Sequence, residues 1–233
     1  MNASFILDIL FPAECLACGA LLLRGTLCGA CRISIAPHRT AFCGVCAAPL
    51  PGLRSICHPQ APHLLGAAGN YQNVALRTLI HALKFGRMKG AAEPLADILI
   101  HYCARLPMDF QGFSVIPVPI SKERMRERGF NQSALIAERF ARFFGLPLKT
   151  KILTRTVHRT AQSDIADRDE RRQNIQNCYV AKPFPENGIC TPNKNIILID
   201  DVTTSGATFA DAVRALRTAG ARKILAVAVA KAT

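Results

Sequence analysis

The spacing of the cysteines constrains the N-terminal part of this chain more than any other feature. Seven of the ten cysteines lie within the first 57 residues, and six of these seven form Cys-x2-Cys pairs. A Cys-x2-Cys turn aims two thiolates at one metal ion, and two such turns complete a tetrahedral site. Zinc is the expected ion because it suits four soft ligands and needs no redox partner. The complete set comprises Cys15, Cys18, Cys28 and Cys31.

A second cysteine set follows and lacks one ligand. It comprises Cys43, Cys46 and Cys57. Repetition of the pair spacing would place the fourth ligand at position 60, which is Gln60. We expect His63 to complete a second zinc site, because His58 adjoins Cys57 and would point elsewhere. Two alternatives are a degenerate ribbon held by packing alone and an interleaved fold in which the first and third pairs share one ion.

The chain as a whole has a globular composition, and its cysteine content divides it in two. Of its 233 residues, 50% are hydrophobic and 19% are charged, which excludes an intrinsically disordered protein. Cysteines become sparse after residue 57, and residues 58–65 resemble a linker. We therefore predict a cysteine-rich (double) zinc ribbon over residues 1–65 and a larger domain over residues 66–233.

The larger domain alternates between helical and strand patterns. Helical spacing of apolar residues occurs at 76–83, 91–106, 132–144 and 209–219, and short apolar runs occur at 114–118, 178–181, 196–199 and 224–229. This alternation predicts an α/β fold with a parallel sheet covered on both faces. Ligands of such sheets bind beyond the carboxyl ends of the strands. The loops after Pro119 and Ile199 are therefore the candidate sites.

The sequence also bears on localisation. No apolar run approaches the roughly 18 residues of a membrane-spanning helix. The first residues are apolar but carry Asp8, and no basic residue precedes the apolar stretch as in a secretory signal. We expect a cytoplasmic protein without a membrane span, in which paired cysteines bind metal in preference to forming disulfides.

The strongest chemical signal is a pair of carboxylates at the end of an apolar strand. Asp200 and Asp201 follow the run 196–199, and a loop rich in hydroxyl groups then leads into a helix. Backbone N–H groups at a helix N-terminus bind anions, and the carboxylates can accept hydrogen bonds from sugar hydroxyls or bind magnesium. The pattern fits a phosphorylated ribose, and the candidate phosphate ligands are Thr203, Thr204, Ser205, Gly206 and Thr208. The alternative is ordinary helix capping by Thr208 and Asp211.

Basic residues dominate the segment between the two candidate loops. Between Pro117 and Arg172 there are 13 Lys or Arg residues against 7 Asp or Glu, within a formal net charge of +13 for the chain. This excess favours an anionic partner, such as phosphate, nucleotide or nucleic acid. Arg128, next to Gly129 in a basic loop, is the preferred contact for a pyrophosphate group. A basic turn at 84–87 is a further candidate cover for the pocket.

The N-terminal cysteine ribbon combined with three motifs of the larger domain resembles the ComF family of competence-associated proteins. The strand, Asp-Asp pair and hydroxyl loop at 196–208 look like the phosphoribosyl pyrophosphate loop of type I phosphoribosyltransferases. The segment from Val115 through the Arg128-Gly-Phe-Asn-Gln132 motif looks like the pyrophosphate loop of the family, and 155–174, with Arg159, looks like its mobile catalytic loop. Gln60 stands where the family often has a cysteine.

The resemblance implies a type I phosphoribosyltransferase-like domain that binds magnesium–phosphoribosyl pyrophosphate. Asp200, Asp201 and Arg128 would be the catalytic residues, with Arg159 a further ligand contact. It also implies a role in DNA uptake during natural transformation, with single-stranded DNA and other competence proteins as partners. Two functions stay open: transfer of phosphoribose to an acceptor with release of pyrophosphate, and non-catalytic handling of single-stranded DNA in which the same site takes a regulatory ligand.

Overall fold

The N-terminal module consists of short strands and one short helix. The computed structural model describes residues 13–53, 58, 60–156, 178–184 and 194–232. Strands β1 (Ala13–Glu14) and β2 (Leu21–Leu22) form an antiparallel hairpin, and helix α1 (Gly29–Ser34) follows. Strands β3 (Ala41–Cys43) and β4 (Pro49–Leu50) form a second antiparallel pair. Elements this short bury little apolar surface, so the module needs another source of stability.

The main sheet has six strands in the order β4-β3-β5-β10-β9-β6. Its remaining strands are β5 (Leu64–Asn70), β6 (Phe113–Pro117), β9 (Asn195–Thr203) and β10 (Ile224–Lys231). These four strands pair in parallel, whereas β3 joins β5 in the antiparallel sense. The sheet therefore continues from the cysteine-rich module into the larger domain, across the boundary predicted near residue 65.

Helices cover the sheet, and two further strands form a separate antiparallel pair. The helices are α2 (Val74–Lys84), α3 (Ala92–Cys103), α4 (Lys122–Arg128), α5 (Gln132–Phe144) and α6 (Ala207–Thr218). Strands β7 (Leu153–Arg155) and β8 (Tyr179–Ala181) pair only with each other in the described part of the chain. The predicted α/β class, with a mostly parallel sheet and a zinc-ribbon-like N-terminal module, is confirmed.

The two faces of the sheet carry two separate clusters of buried side chains. Val115, Ile197 and Val227 belong to a cluster with α2, α3 and α5, whereas Ile116 and Leu198 belong to a cluster with α6. Neighbouring residues of one strand thus serve opposite clusters, as the two-residue period of a strand requires. Burial on both faces explains why these strands appear in the sequence as continuous apolar runs.

Strand β5 was absent from the sequence-based prediction because its residues are small. A Cβ atom on Gly66 would lie 2.7 Å from Cγ1 of Val227 and 3.1 Å from Cε1 of Tyr102. The Tyr102 side chain is fully buried and donates a hydrogen bond to the Thr40 carbonyl. Packing of this ring against the sheet requires glycine at position 66, and a Gly- and Ala-rich run has little strand propensity of its own.

Helix α4 replaces part of the predicted basic loop. Ser121 caps it by accepting a hydrogen bond from the Arg124 N–H, and Gly129 ends it with a left-handed backbone at φ 78°. Its residues are nearly all charged, so the sequence lacked the apolar periodicity by which helices are recognised.

Among the described residues, no helix is long and apolar enough to cross a bilayer.

Candidate functional site

Strand β9 carries both predicted aspartates at its carboxyl end. The strand runs on to Thr203, beyond the predicted end at residue 199, and the register pairs Asp200 with Ala228 of β10. The strand's apolar first half is held between the two side-chain clusters, which fixes its last residues at the edge of the sheet. Two adjacent side chains of a strand point to opposite faces, so Asp200 and Asp201 meet different neighbours.

Asp200 accepts hydrogen bonds from α5 and from its own backbone. The Ser133 hydroxyl donates to Oδ1 at 2.8 Å, and the Asp201 N–H donates to the same oxygen at 2.9 Å. Burial raises the pKa of Asp200 to about 7, and the neighbouring charge of Asp201 adds to this effect. A carboxyl group that titrates near neutrality at a strand end is typical of functional sites.

Asp201 is buried and pairs with a lysine from α2. Its side chain is within 3.0 Å of Lys84 Nζ through Oδ1, and the residue is only 3% exposed. Its second oxygen, Oδ2, is buried and has no hydrogen-bond partner among the described residues. An unpartnered buried carboxylate oxygen is costly, and it therefore marks a position at which a ligand donor would be favourable.

The hydroxyl loop and the start of α6 surround a small cavity. Gly206 adopts a left-handed conformation at φ 78°, and α6 begins at the next residue. The cavity has a volume of about 60 Å³, and its lining is Asp200, Val202 and residues 203–209. This volume suits a phosphate group and is too small for a whole pentose phosphate. The predicted loop residues Thr203, Thr204, Ser205, Gly206 and Thr208 all lie at this cavity.

The capping alternative does not match this helix start. Gly206 is the N-cap residue and has no side chain to donate or accept, so Thr208 lies within the first turn. Asp211 instead accepts hydrogen bonds from the N–H groups of Cys178 and Tyr179, at 2.7 and 3.2 Å. These bonds attach β8 to α6. The first N–H groups of α6 are therefore available to an anion.

Arg128 lies at the C-terminal end of α4 and contacts the sequence neighbours of Ser133 and Lys84, the residues that meet the aspartates. It donates a hydrogen bond to Gln132 Oε1 at 2.9 Å, and its guanidinium group is 5.7 Å from the centre of the Phe85 ring. The arginine is thus positioned by two side chains. The predicted Arg159 lies outside the described residues, as does most of the predicted mobile loop.

Sequence reasoning missed Ser133. It included Gln132 only within the Arg128-to-Gln132 motif and Lys84 only within the basic turn at 84–87, and it assigned neither a contact. Ser133 and Gln132 are buried at the start of α5, and Lys84 ends α2. Asn131 orients this region, because its side chain caps α5 and donates to the Val118 carbonyl at 3.0 Å. A run of polar residues at 131–133, at the start of the helix, was the available signal for Ser133. Nothing in the local sequence indicated that Lys84 meets Asp201.

The first cysteine set has the geometry of a zinc site. The Sγ atoms of Cys15, Cys18, Cys28 and Cys31 all lie within 4.8 Å of one another. Cys18 and Cys28 are 3.7 Å apart, close to the roughly 3.8 Å that tetrahedral coordination at 2.3 Å implies. The Cys28 N–H donates to Cys15 Sγ at 3.3 Å, as in a metal-binding turn. The four residues fit zinc as predicted.

The second set brings His58, and not the predicted His63, to the cysteines. Cys43, Cys46 and His58 place their ligand atoms within 4.8 Å of one another. His58 Nδ1 is 3.5 Å from Cys43 Sγ, close to the roughly 3.6 Å expected for zinc ligands. The ring of His63 is buried against Gly44, where burial lowers its pKa to about 4. Cys57 lies outside the described residues.

Known proteins support both parts of this description. A family model described as a double zinc ribbon domain matches residues 6–59. The DNA utilization protein YhgH of Salmonella typhimurium is 28% identical over 85% of this chain and 93% of its own length. Competence protein F of Haemophilus influenzae is 27% identical over 95% of this chain and 98% of its own length. Competence protein ComFC of Bacillus subtilis is 33% identical, over 45% of this chain and 38% of its own length.

The fold and the cysteine clusters define a zinc-ribbon protein with an α/β domain consistent with the phosphoribosyltransferase-like fold. The similarity to these relatives covers 85% and 95% of the chain, so it extends over both parts. Together, these relatives and the ribbon match support assignment of the chain to the ComF family. The ribbon match and the two ligand clusters together support zinc binding.

Zinc content should follow the two clusters. We expect the purified wild-type chain to contain two zinc ions, Cys18→Ser to lose the first and Cys46→Ser to lose the second, as measured by elemental analysis. Cys103→Ala is the control, because this buried cysteine belongs to neither cluster. Loss of zinc in His58→Ala but not in His63→Ala would identify the histidine ligand. A folded wild-type chain without zinc would contradict the ribbon assignment.

The raised pKa of Asp200 predicts a pH-dependent cost to stability. The folded chain holds a proton that the unfolded chain releases between the ordinary pKa of about 4 and the folded value of about 7. Wild-type stability should therefore fall as the pH rises through this window. Asp200→Asn keeps the oxygen that Ser133 needs but cannot ionise. We expect it to exceed the wild type in urea midpoint at pH 8 and by less at pH 5.

The exposed variant Asp109→Asn is the control for this measurement. Its urea midpoint should follow the wild-type pH trend, because it lies far from the paired aspartates. If the urea midpoint of Asp200→Asn also follows the wild-type pH trend, the pKa of Asp200 is not raised in the folded chain.

Proposed function

We propose that the carboxyl edge of the sheet binds magnesium–phosphoribosyl pyrophosphate. The observation that carries this proposal is the Asp200–Asp201 pair beside a phosphate-sized cavity at the N-terminus of α6. The helix N-terminus at the cavity attracts an anion, and the aspartate pair attracts hydroxyl groups or a cation. A phosphorylated sugar presents both kinds of group on one molecule, which is why the combination favours it over a simple anion.

The 5′-phosphate would occupy the cavity at the hydroxyl loop. First-turn N–H groups of α6 and the hydroxyls of Thr204, Ser205 and Thr208 would donate to its oxygens. The left-handed backbone of Gly206 lets the chain turn tightly there. Because the cavity holds about 60 Å³, the ribose would lie outside it, along the carboxylates.

The ribose hydroxyls would donate to the two aspartates. Asp201 Oδ2 is buried without a described partner and is suited to accept such a bond. Lys84 holds the other oxygen of Asp201, so a bound sugar would share or displace this lysine. Magnesium, with its preference for carboxylate and phosphate oxygens, would neutralise part of the ligand's charge. Arg128, held by Gln132, would contact the pyrophosphate group.

Such a site supports phosphoribosyl transfer. A nucleophilic acceptor would form a bond to the anomeric carbon of ribose while the bond to pyrophosphate breaks. The carboxylates would stabilise positive charge that develops on the sugar, and Arg128 would stabilise negative charge on the leaving group. A second candidate function is non-catalytic handling of single-stranded DNA, in which the sugar phosphate acts as a regulatory ligand. The names of the relatives, which refer to DNA utilization and competence, favour a role with DNA.

A cytoplasmic role in DNA utilization or uptake accords with the chain's charge and thiols. The net charge of +13 favours contact with nucleic-acid phosphates. The cysteines of the two ligand clusters must stay reduced to bind zinc, which favours a reducing compartment. Other competence proteins are the proposed protein partners.

Ligand-induced stabilisation tests the sugar-phosphate site. Magnesium–phosphoribosyl pyrophosphate at a hundredfold excess over Kd should raise the free energy of unfolding of the wild-type chain by about 2.7 kcal/mol, and should therefore raise its melting temperature. The double variant Asp200→Asn/Asp201→Asn should lose this shift, whereas Asp109→Asn should keep it. An undiminished shift in the double variant would refute the assignment of the carboxylates. Incubation of the complex with candidate acceptors, with release of pyrophosphate as the readout, separates turnover from binding.

Transformation tests the role with DNA. A strain that lacks this chain should take up marked linear DNA less efficiently than its parent, and the wild-type gene should restore uptake. A plasmid delivered by electroporation is the control, since it bypasses uptake. Restoration by the Asp200→Asn/Asp201→Asn variant would show that DNA uptake does not need the sugar-phosphate site, whereas failure would favour a catalytic or regulatory role for this site. Equal transformation of the two strains would argue against a role in DNA uptake.

A further inference from the structure

Helix α2 passes across the carboxyl ends of the central strands. Tyr71, just before the helix, donates its N–H to the carbonyl of Lys231 at the end of β10. Lys84, at the other end of the helix, reaches Asp201 on β9. The next residue, Phe85, contacts Arg128, which follows β6. The helix therefore lies over the same edge of the sheet as the candidate phosphate site.

Three rings form a row along α2. Tyr71 lies just before the helix, His81 within it and Phe85 just after it. Tyr71 and His81 have ring centres 6.4 Å apart and are joined by a 2.9 Å hydrogen bond between the hydroxyl and Nε2. His81 and Phe85 have ring centres 5.3 Å apart. Phe85 ends the row and is 68% exposed, even with Arg128 beside it. We call these three residues the α2 ring row.

The surroundings of the ring row are basic. Arg128 lies over the Phe85 ring, and the same segment of the chain carries Arg77, Lys84, Arg87 and Lys89, of which Lys84 is paired with Asp201. In the sequence, no Asp or Glu occurs between Glu14 and Glu93. A surface that combines exposed rings with positive charge and lacks acidic residues along its own segment complements an anion that carries flat apolar groups.

We infer that the α2 ring row binds single-stranded nucleic acid. Unpaired bases stack on Phe85 and its neighbouring rings, while the surrounding Lys and Arg side chains contact the phosphates. A duplex keeps its bases paired and offers only its phosphates to such a row. This inference deepens the DNA-handling part of the proposed function and does not depend on the sugar-phosphate site. Because Lys84 belongs to the same turn, a bound strand lies next to Asp201.

A second exposed phenylalanine provides a matched control. Phe143 on α5 is 64% exposed and contacts the Phe144 ring at 5.0 Å. The exposed charges near it on α5 are an ion pair between Arg142 and Glu138, so the local charge is balanced. An exposed ring alone is common on protein surfaces. Comparison of Phe85 with Phe143 therefore separates the effect of the basic ring row from that of exposed aromatic surface.

The test is a titration of fluorescent oligothymidylate of 20 nucleotides with the full-length chain, followed by anisotropy. Phe85→Leu keeps an apolar side chain and removes the ring, and we expect roughly tenfold weaker binding, in the range found for loss of one base-stacking contact. Phe143→Leu should bind like the wild type. Arg77→Gln should weaken binding and reduce its dependence on salt, because it removes a phosphate contact. A 20-nucleotide oligouridylate should respond to Phe85→Leu in the same way.

Several results would overturn the inference. The first is that Phe85→Leu and Phe143→Leu bind oligothymidylate with equal affinity. The second is that the wild-type chain binds a blunt duplex as tightly as the single strand. The third is that Phe85→Leu leaves the affinity for oligouridylate unchanged. Thermal unfolding of each variant verifies that the fold is kept. The sugar-phosphate site is tested separately by the response of the wild type to magnesium–phosphoribosyl pyrophosphate. Loss of that response with intact oligonucleotide binding would reject the proposed site and leave the ring row standing.

Discussion

The end of β9 is the point on which the rest of the structure depends, because it holds two adjacent, like-charged side chains, of which Asp201 is buried and Asp200 is partly buried. Asp200 is stabilised by the Ser133 hydroxyl and a backbone N–H, and Asp201 by Lys84. Even so, burial raises the pKa of Asp200 to about 7, and Asp201 Oδ2 has no described partner. Proteins tolerate such costs mainly at functional sites, which supports the proposal of a ligand site at this strand end.

The metal-binding module and the α/β domain form one sheet. β3 pairs with β5, so the strand that carries Cys43 is hydrogen-bonded to the larger domain. Zinc would hold the turns of this module, since its elements are only two to six residues long. Helix α2 then connects β5 to the opposite side of the carboxyl edge, where Lys84 and Phe85 meet Asp201 and Arg128. The proposed sugar-phosphate and nucleic-acid sites are therefore neighbours along one edge.

Much of the fold was predictable because its signals are local. Helix α5 was predicted with its observed bounds, since its apolar face has helical spacing and Gly145 ends it in a left-handed conformation. Strand β5 was not predicted, because its small residues are dictated by the buried Tyr102 ring of a distant helix. His58 was rejected in favour of His63 because it adjoins Cys57. Adjacency in sequence does not determine where a side chain points, and the His58 ring lies beside Cys43. The contacts among Tyr71, His81 and Phe85 were likewise not predicted from the sequence.

The sequence by itself determined the zinc-ligand spacing, the parallel α/β class and the aspartate pair that precedes a hydroxyl loop. Each of these depends on residues close together in the chain, whose spacing sets which side chains share a turn or a strand end. Only the tertiary structure decided that Lys84 neutralises Asp201, that Ser133 donates to Asp200 and that Phe85 lies against Arg128. These contacts join residues distant in sequence, and they form because parallel strands bring their carboxyl ends, and the helix that crosses them, to one edge of the sheet.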